Sequence, residues 1–237
     1  MSAVANLAEE GAKARAARLS AEHARSSAHD ILAAAIEEWG DGLALVSSFG
    51  AESAALLHVA SEVNPSLPVI FLETQKHFAQ TLSYKRKLTA RLGLTGVRDV
   101  APDPDEVAAI DPAGDLNRRD TDACCDLRKV RPLDRALSGF DAWVTGRKQF
   151  HGGQRVSLPA FEHVGEHYKV NPLVRWSRAD VDAYVARHDL PPHPLVAQGF
   201  PSIGCWPCTH PVAAGDDVRA GRWRGEAKTE CGIHARV

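Results

Sequence analysis

Short apolar runs alternate with longer amphipathic stretches through the first two thirds of the chain. Leu43-Ala44-Leu45-Val46 leads into the polar turn Ser47-Ser48-Phe49-Gly50-Ala51-Glu52-Ser53, and a helical pattern carrying Leu56, Leu57, Val59 and Ala60 follows. The unit recurs. Pro68 to Leu72 reads as a strand, 76–91 as a basic helix, Val97 to Val100 as a strand, 121–137 as a helix and Asp141 to Val144 as a strand. Such alternation predicts an α/β fold with a doubly wound, mainly parallel sheet and helices on both faces. Ahead of it lies an Ala-rich helical arm, residues 1–39, in which Ser20 is positioned to cap a helix running to Trp39, with Gly40 just past its end. Beyond Gly146 the pattern loosens: 146–166 reads as a long loop, Tyr168 to Leu173 as a further apolar run, and Ser177 as the cap of a helix reaching His188. From Pro191 onward, prolines at 191, 192, 194, 201, 207 and 211 break any long helix or strand. An α/β core that ends in a long loop and tail usually keeps function there.

Composition narrows the class. At 237 residues, 44% hydrophobic and 24% charged, the chain is an ordinary globular protein, which excludes disordered and fibrous classes. Lys+Arg 28 against Asp+Glu 30 leaves a net charge of −2, so no bulk electrostatic case arises for nucleic acid or an anionic membrane. Apolar runs fall far short of the roughly 20 residues that span a bilayer. The first residues lack a secretory hydrophobic region, and Glu9, Glu10 and Glu22 argue against a transit peptide, so a cytoplasmic location is expected. In a reducing compartment five cysteines are poor candidates for structural disulfides, and four plus one is the natural partition.

Two regions carry candidate chemistry. In the first turn, Ser47, Ser48, Gly50 and Ser53 offer hydroxyls, free amides and a helix N-terminus to an anion. A plain strand-to-helix turn has the same composition, and neither a Walker loop nor a dinucleotide fingerprint is present. In a doubly wound sheet, ligands sit at the carboxyl ends of the strands, which puts Leu72 and Thr74 at the same rim. The second region is the cysteine set: vicinal Cys124-Cys125, then Cys205-Trp206-Pro207-Cys208. Neighbouring helical residues point about 100° apart, so a vicinal pair serves one centre only if that centre is large or the helix ends there. An iron–sulfur cube is large enough, zinc fits the spacing less well, and a redox dithiol at the second pair stays open. Cys231 stands apart near the terminus, with Arg219, Arg222, Arg224, Lys228 and Arg236 close in sequence. That setting favours a thiolate and a small anionic substrate, although a basic run is often only a solvated face.

Taken together, the motifs resemble the assimilatory adenylyl-sulfate (APS) reductases, the sulfonucleotide reductase family with a PP-loop-type adenine-nucleotide fold. The resemblance covers roughly residues 40 to 237. It rests on the Ser47–Ser53 turn, Phe71-Leu72-Glu73-Thr74, Cys124 through Leu133, Thr145-Gly146-Arg147, Cys205 through Cys208, Arg219-Ala220-Gly221-Arg222-Trp223 and the terminal Glu230-Cys231-Gly232-Ile233-His234. It implies a nucleotide-binding body over 40–210 and a catalytic tail over 211–237. It also implies a [4Fe–4S] cluster on Cys124, Cys125, Cys205 and Cys208, reduction of APS to sulfite and AMP through an S-sulfocysteine on Cys231, and thioredoxin or glutaredoxin as reductant. By motif position, substrate contacts fall to Ser47, Ser48, Phe49, Gly50, Ser53, Leu72, Thr74, Gly146, Arg155, Arg219, Arg222 and Trp223. Charge neutralisation falls to Lys129, Arg155, Arg219, Arg222 and His234, with Arg128 a further candidate. Lys129 also lies where it could link cluster and substrate. The arm is outside the motif set and suits packing or the contacts of a homo-oligomer. Competing readings are a reductase of the 3′-phosphorylated substrate (PAPS), a PP-loop ATP pyrophosphatase or sulfur transferase, and an iron–sulfur nucleotide sensor.

Overall fold

The computed structural model of the chain describes residues 3–152, 155–213, 215–225, 228 and 230–234. Arg236, counted above with the basic run, lies outside them. Six strands form one sheet in the order β3-β2-β1-β4-β6-β5: β1 Leu43–Val46, β2 Val69–Leu72, β3 Val97–Val100, β4 Ala142–Val144, β5 Phe161–Val164 and β6 His167–Val170. All pairings are parallel except β5 with β6.

Strand periodicity sorts the core into two layers. Leu43, Leu45, Val69, Phe71, Ala142 and Val144 face one side. There they pack against the helices α1 (Ala3–Glu22), α2 (Ala28–Trp39), α3 (Ser53–Val63), α4 (Ala79–Leu92) and α9 (Arg178–Arg187). Ala44, Ile70, Leu72 and Trp143 face the other side, against Leu133 and Leu137 of α8 (Arg131–Leu137). The central strands are therefore buried on both faces, which is why they read as continuous apolar runs.

Three sequence expectations need correction. Residues 3–39 form two helices, and the break between them is capped by Ser27, not Ser20. The Ser27 hydroxyl accepts from the Asp30 amide while the Asp30 carboxylate accepts from the Ser27 amide. Ser20 instead sits inside α1, where its hydroxyl both donates to the Phe161 carbonyl at 2.7 Å and accepts from the Phe161 amide at 2.9 Å. It thereby satisfies the backbone of the outermost strand, a position that otherwise invites pairing with another chain. The supposed loop 146–166 contains that strand, β5, folded antiparallel on β6. Short helices α5 (Pro104–Ile110), α6 (Leu116–Arg119) and α7 (Thr121–Cys125) fill the crossover between β3 and β4, and the helix expected over 121–137 changes to a π-helical turn at Asp126–Val130. Among the described residues no helix is long and apolar enough to cross a membrane.

Ser27→Ala removes the reciprocal cap and is expected to cost about 1 kcal/mol. For a chain of this size the thermal midpoint should fall by about 2–4 °C. A calorimetric scan with an unchanged midpoint would show that the cap does not hold α2.

Candidate active site

Strand order reverses between β1 and β4, so the carboxyl ends of these strands open a crevice. Ser47, Ser48, Gly50 and Ser53 follow β1, Leu72 and Thr74 end β2, and Thr145 and Gly146 end β4; all line one cavity of about 250 Å³. The turn after β1 is held open for a ligand. Glu52 precedes α3 without capping it through its side chain, which leaves the helix N-terminus uncovered at the cavity. Its carboxylate is engaged elsewhere, by Lys148 at 2.7 Å, His151 at 3.2 Å and Arg178 at 3.2 Å. Burial alone would raise the Glu52 pKa, but the His151 hydrogen bond and Lys148 bring it down to about 2. Among the described residues four non-glycine positions have left-handed backbone, and three border this region: Phe49 (φ 48), Gln75 (φ 60) and Trp223 (φ 49). Strain concentrated in this way is characteristic of functional sites. It is held at Phe49 by packing edge-on against Phe71, ring centroids 5.7 Å apart.

The four clustered cysteines meet on the neighbouring face, where Cys124, Cys125, Cys205 and Cys208 line a second, small cavity together with Arg128 and Lys129. None of the four is in a disulfide, and all but Cys208 are buried. The vicinal pair lies at the end of α7, where the helix gives way to the π-turn. Arg128 in that turn donates to Asp111 at 2.8 Å, to the Thr74 carbonyl at 3.1 Å and to Gln75 at 2.8 Å. The loop after β2 in turn holds the second pair: His77 pairs antiparallel with Cys205, Trp206 N–H donates to the Lys76 carbonyl, and Thr74 Oγ1 lies 3.3 Å from Cys205 Sγ. Burial, together with the Cys125, Cys205 and Cys208 sulfurs, pushes the Cys124 thiol up to about 11. A shared positive centre would reverse that repulsion. Four thiols converging on one small cavity, two of them vicinal at a helix end, are a donor set that fits an iron–sulfur cube.

The tail folds back into the crevice. Thr209 bridges to Arg222, and Trp223 N–H donates to the Cys208 carbonyl at 3.2 Å, so the segment before Cys231 is fastened to the second cysteine pair. Gly221 allows this approach, since a Cβ there would lie 2.1 Å from the His210 carbonyl oxygen. Ile233 packs into the second core layer, and His234 stacks on Trp143 with centroids 5.3 Å apart. Cys231 thus lines the same cavity as the β1 turn, Lys129, Arg155, Arg219 and Arg222. Burial would lower the Lys129 pKa, but the Cys205, Cys231 and Cys125 sulfurs raise it above the ordinary lysine range. Its ammonium therefore interacts with both the cysteine cluster and Cys231, as does that of Lys228. Arg222 lies over the Trp223 ring at 4.4 Å, with Arg219 and Lys228 both at 5.9 Å.

Most residues expected at the site converge there. Phe49 does not line the cavity; its side chain is fully buried against Phe71 and supports the turn from within. Trp223 is buried and carries cations on its face. Arg128 is committed to Asp111 and the loop after β2, so it is a scaffold residue of the cysteine cavity and not a free cation. For His234, burial, reinforced by Arg147, Arg155, Lys169 and Arg219, pushes the imidazole pKa well below the ordinary histidine range, which suits it to hydrogen bonding. Sequence reasoning missed Glu52, Trp143, Lys148, Lys169 and Glu230. Lys169 is fully buried in β6 and donates to the His234 carbonyl at 2.8 Å; burial and Arg147 bring its pKa down to about 7. Glu230 accepts from Arg155 at 2.5 Å and pairs with Arg219 at 3.6 Å.

Comparison with known proteins agrees with this geometry. The phosphoadenosine phosphosulfate reductase domain family matches residues 42–211. An adenosine 5'-phosphosulfate reductase of Mesorhizobium japonicum is 49% identical over 228 residues, covering 96% of this chain and 90% of that protein. A phosphoadenosine 5'-phosphosulfate reductase of Gloeobacter violaceus is 43% identical, covering 86% and 87%. The crystal structure of phosphoadenylyl-sulfate (PAPS) reductase from Candida auris, a phosphate complex, superimposes with a TM-score of 0.70 at 28% identity, covering 81% of this chain and 95% of that one.

Lys169 yields a pH prediction. Its folded pKa is depressed, so between about pH 7 and the ordinary lysine range the unfolded chain binds a proton that the folded chain does not, and stability from this group rises with pH. Lys169→Met should therefore stabilise most near pH 6, with the advantage shrinking toward pH 9. Denaturant midpoints that differ by a constant amount across that range would contradict a neutral Lys169.

Proposed function

Because the chain belongs to the phosphoadenosine phosphosulfate reductase domain family, we propose that it is a cytoplasmic adenylyl-sulfate reductase of sulfate assimilation, forming sulfite and AMP with thioredoxin or glutaredoxin as reductant. The observation that carries this reading is the position of Cys231, which lines one crevice with the β1 turn and with Lys129, Arg219 and Arg222. A thiol so placed has an anion-binding turn on one side and cations on the other.

The Cys231 thiolate attacks the sulfur of the sulfate group, the S–O bond to the AMP phosphate breaks, and AMP leaves with the bonding pair. Cys231 is then an S-sulfocysteine. A reductant thiolate attacks the Cys231 sulfur, sulfite departs with its electron pair, and the resulting mixed disulfide is resolved by the reductant's second thiol. Bringing anion to anion is the difficult part, and fixed cations act most strongly in a crevice from which water is partly excluded. Lys129, Arg219 and Arg222 line the reacting end, with Arg155 beside them. Ser47, Ser48, Gly50 and Ser53 offer hydroxyls and amides to the phosphate. Neutral His234, fixed by Trp143 and Lys169, orients the tail without adding charge. The tail, residues 211–237, acts on the body formed by 40–210.

Cys124, Cys125, Cys205 and Cys208 would hold a [4Fe–4S] cluster, which as a compact anion supplies a fixed field beside Lys129. Lys129 answers to both the cysteine cavity and Cys231, so a change in either alters the charge it presents to the other. Use of APS over the 3′-phosphorylated substrate rests on the cysteine pairs and on the relative from Mesorhizobium japonicum. The relative from Gloeobacter violaceus keeps PAPS as the second reading.

Incubation with APS in the absence of reductant should add one SO3 group to the peptide that contains Cys231 and release AMP; Cys231→Ser should do neither. Sulfite formation without that adduct would overturn the covalent route, and faster turnover of PAPS than of APS would move the assignment to the second reading. Anaerobic protein should carry about four irons per chain. Lys129→Met should retain them and lose at least about 100-fold in kcat/KM, the scale of removing one charge-stabilising donor. Full activity in that variant would remove Lys129 from the reaction.

A further inference from the structure

Away from the crevice, three helices bring together a second set of metal-ligand side chains. His58 and Glu62 stand one turn apart on α3, and His188 follows the last turn of α9. One ligand atom from each lies within 4.8 Å of the others. A fourth group joins from α2, where His29 Nε2 is 2.8 Å from Glu62 Oε2; His58 Nδ1 is 3.2 Å from the same oxygen. The imidazoles of His58 and His188 face each other with centroids 4.5 Å apart. Glu62 is engaged by two imidazoles and the Tyr184 hydroxyl, not by a lysine or arginine. That arrangement leaves one carboxylate and three imidazoles facing the same point.

We propose that His58, Glu62 and His188, with His29 as a further donor, bind one divalent transition-metal ion of the zinc class. Nitrogen donors with one carboxylate suit zinc, copper or nickel and disfavour magnesium or calcium, which prefer oxygen. Two ligands one helical turn apart, completed by residues from other elements, give the convergence that a four-coordinate ion needs. Glu62 is 44% exposed, so an ion can enter and water can complete the shell. The supporting contacts are also present. The Tyr184 hydroxyl lies 2.8 Å from His58 Nδ1 and 3.2 Å from Glu62 Oε2, and its ring packs against His188 at 4.3 Å. Such outer contacts fix the orientation of metal-ligating imidazoles. The ion would tie α2, α3 and α9 together about two and a half turns along α3 from the anion-binding turn at Ser53. It is separate from the cysteine cavity in both place and donor type.

Zinc chloride added to anaerobically purified, iron-containing protein, followed by desalting, should leave one zinc per chain. Its K-edge absorption should show nitrogen and oxygen at about 2.0–2.1 Å with imidazole scattering. Cys231→Ser should retain this zinc; His188→Ala should bind it at least tenfold more weakly. Glu62→Gln preserves hydrogen bonding to His29 and serves if loss of an imidazole disturbs the helices; it too should weaken binding at least tenfold and abolish the zinc-dependent rise in thermal midpoint. Sulfur at about 2.3 Å in the zinc shell would assign the ion to cysteine and overturn the proposal. So would undiminished zinc affinity in both His188→Ala and Glu62→Gln.

Discussion

The buried pair of Arg128 and Asp111 is the contact on which the site depends. Arg128 is 4% exposed and the Asp111 side chain fully buried, so neither charge has water to fall back on. Removing one partner of such a pair typically costs about 3–5 kcal/mol, because the other is left uncompensated. The same guanidinium reaches the Thr74 carbonyl and Gln75, fixing the π-turn against the end of β2. Three things follow from that one attachment: the vicinal cysteines face the Cys205–Cys208 loop, Thr74 meets Cys205, and Lys129, the next residue along, is directed into the crevice.

A second constraint is the density of positive charge. Arg147, Arg155, Lys169, Arg219 and Arg222 share a region with little water, and the protein manages their repulsion in several ways. Glu52 takes Lys148 and Glu230 takes Arg155 and Arg219. His234 stays neutral, and Lys169 titrates near neutrality. On the proposed reading these arrangements leave a site whose charge adjusts to an arriving anion, since displacement of Glu230 turns the Arg155 and Arg219 guanidinium groups toward it.

Much of this was legible in the sequence because it follows from period and spacing. The β1 to β4 alternation, the Ser47–Ser53 turn and the four-plus-one division of cysteines all survive in three dimensions. What was not legible depends on partners distant in sequence. Lys169 lies in an apolar run and reads as a strand residue; only the stacking of Trp143 and the tail make it a buried amine. His234 looks like a cation by motif and becomes neutral through burial among other cations. Ser20 reads as a cap from residue type alone, but its hydroxyl is taken by the backbone of Phe161, 141 positions away. Glu52 stands within the turn motif, but its role is not local, since its three partners come from beyond β4.

Ile233 fills a small recess in the second core layer while the next residue rests on Trp143. Shielding an isoleucine is worth about 1.5–3 kcal/mol when complete. Ile233 is only half-buried, so its own contribution is smaller than that. Lifting these two residues would uncover the adjacent Cys231 sulfur without disturbing the Cys205–Cys208 loop below. The hinge need be no more than Gly232, whose φ of 88° a bulkier residue would resist.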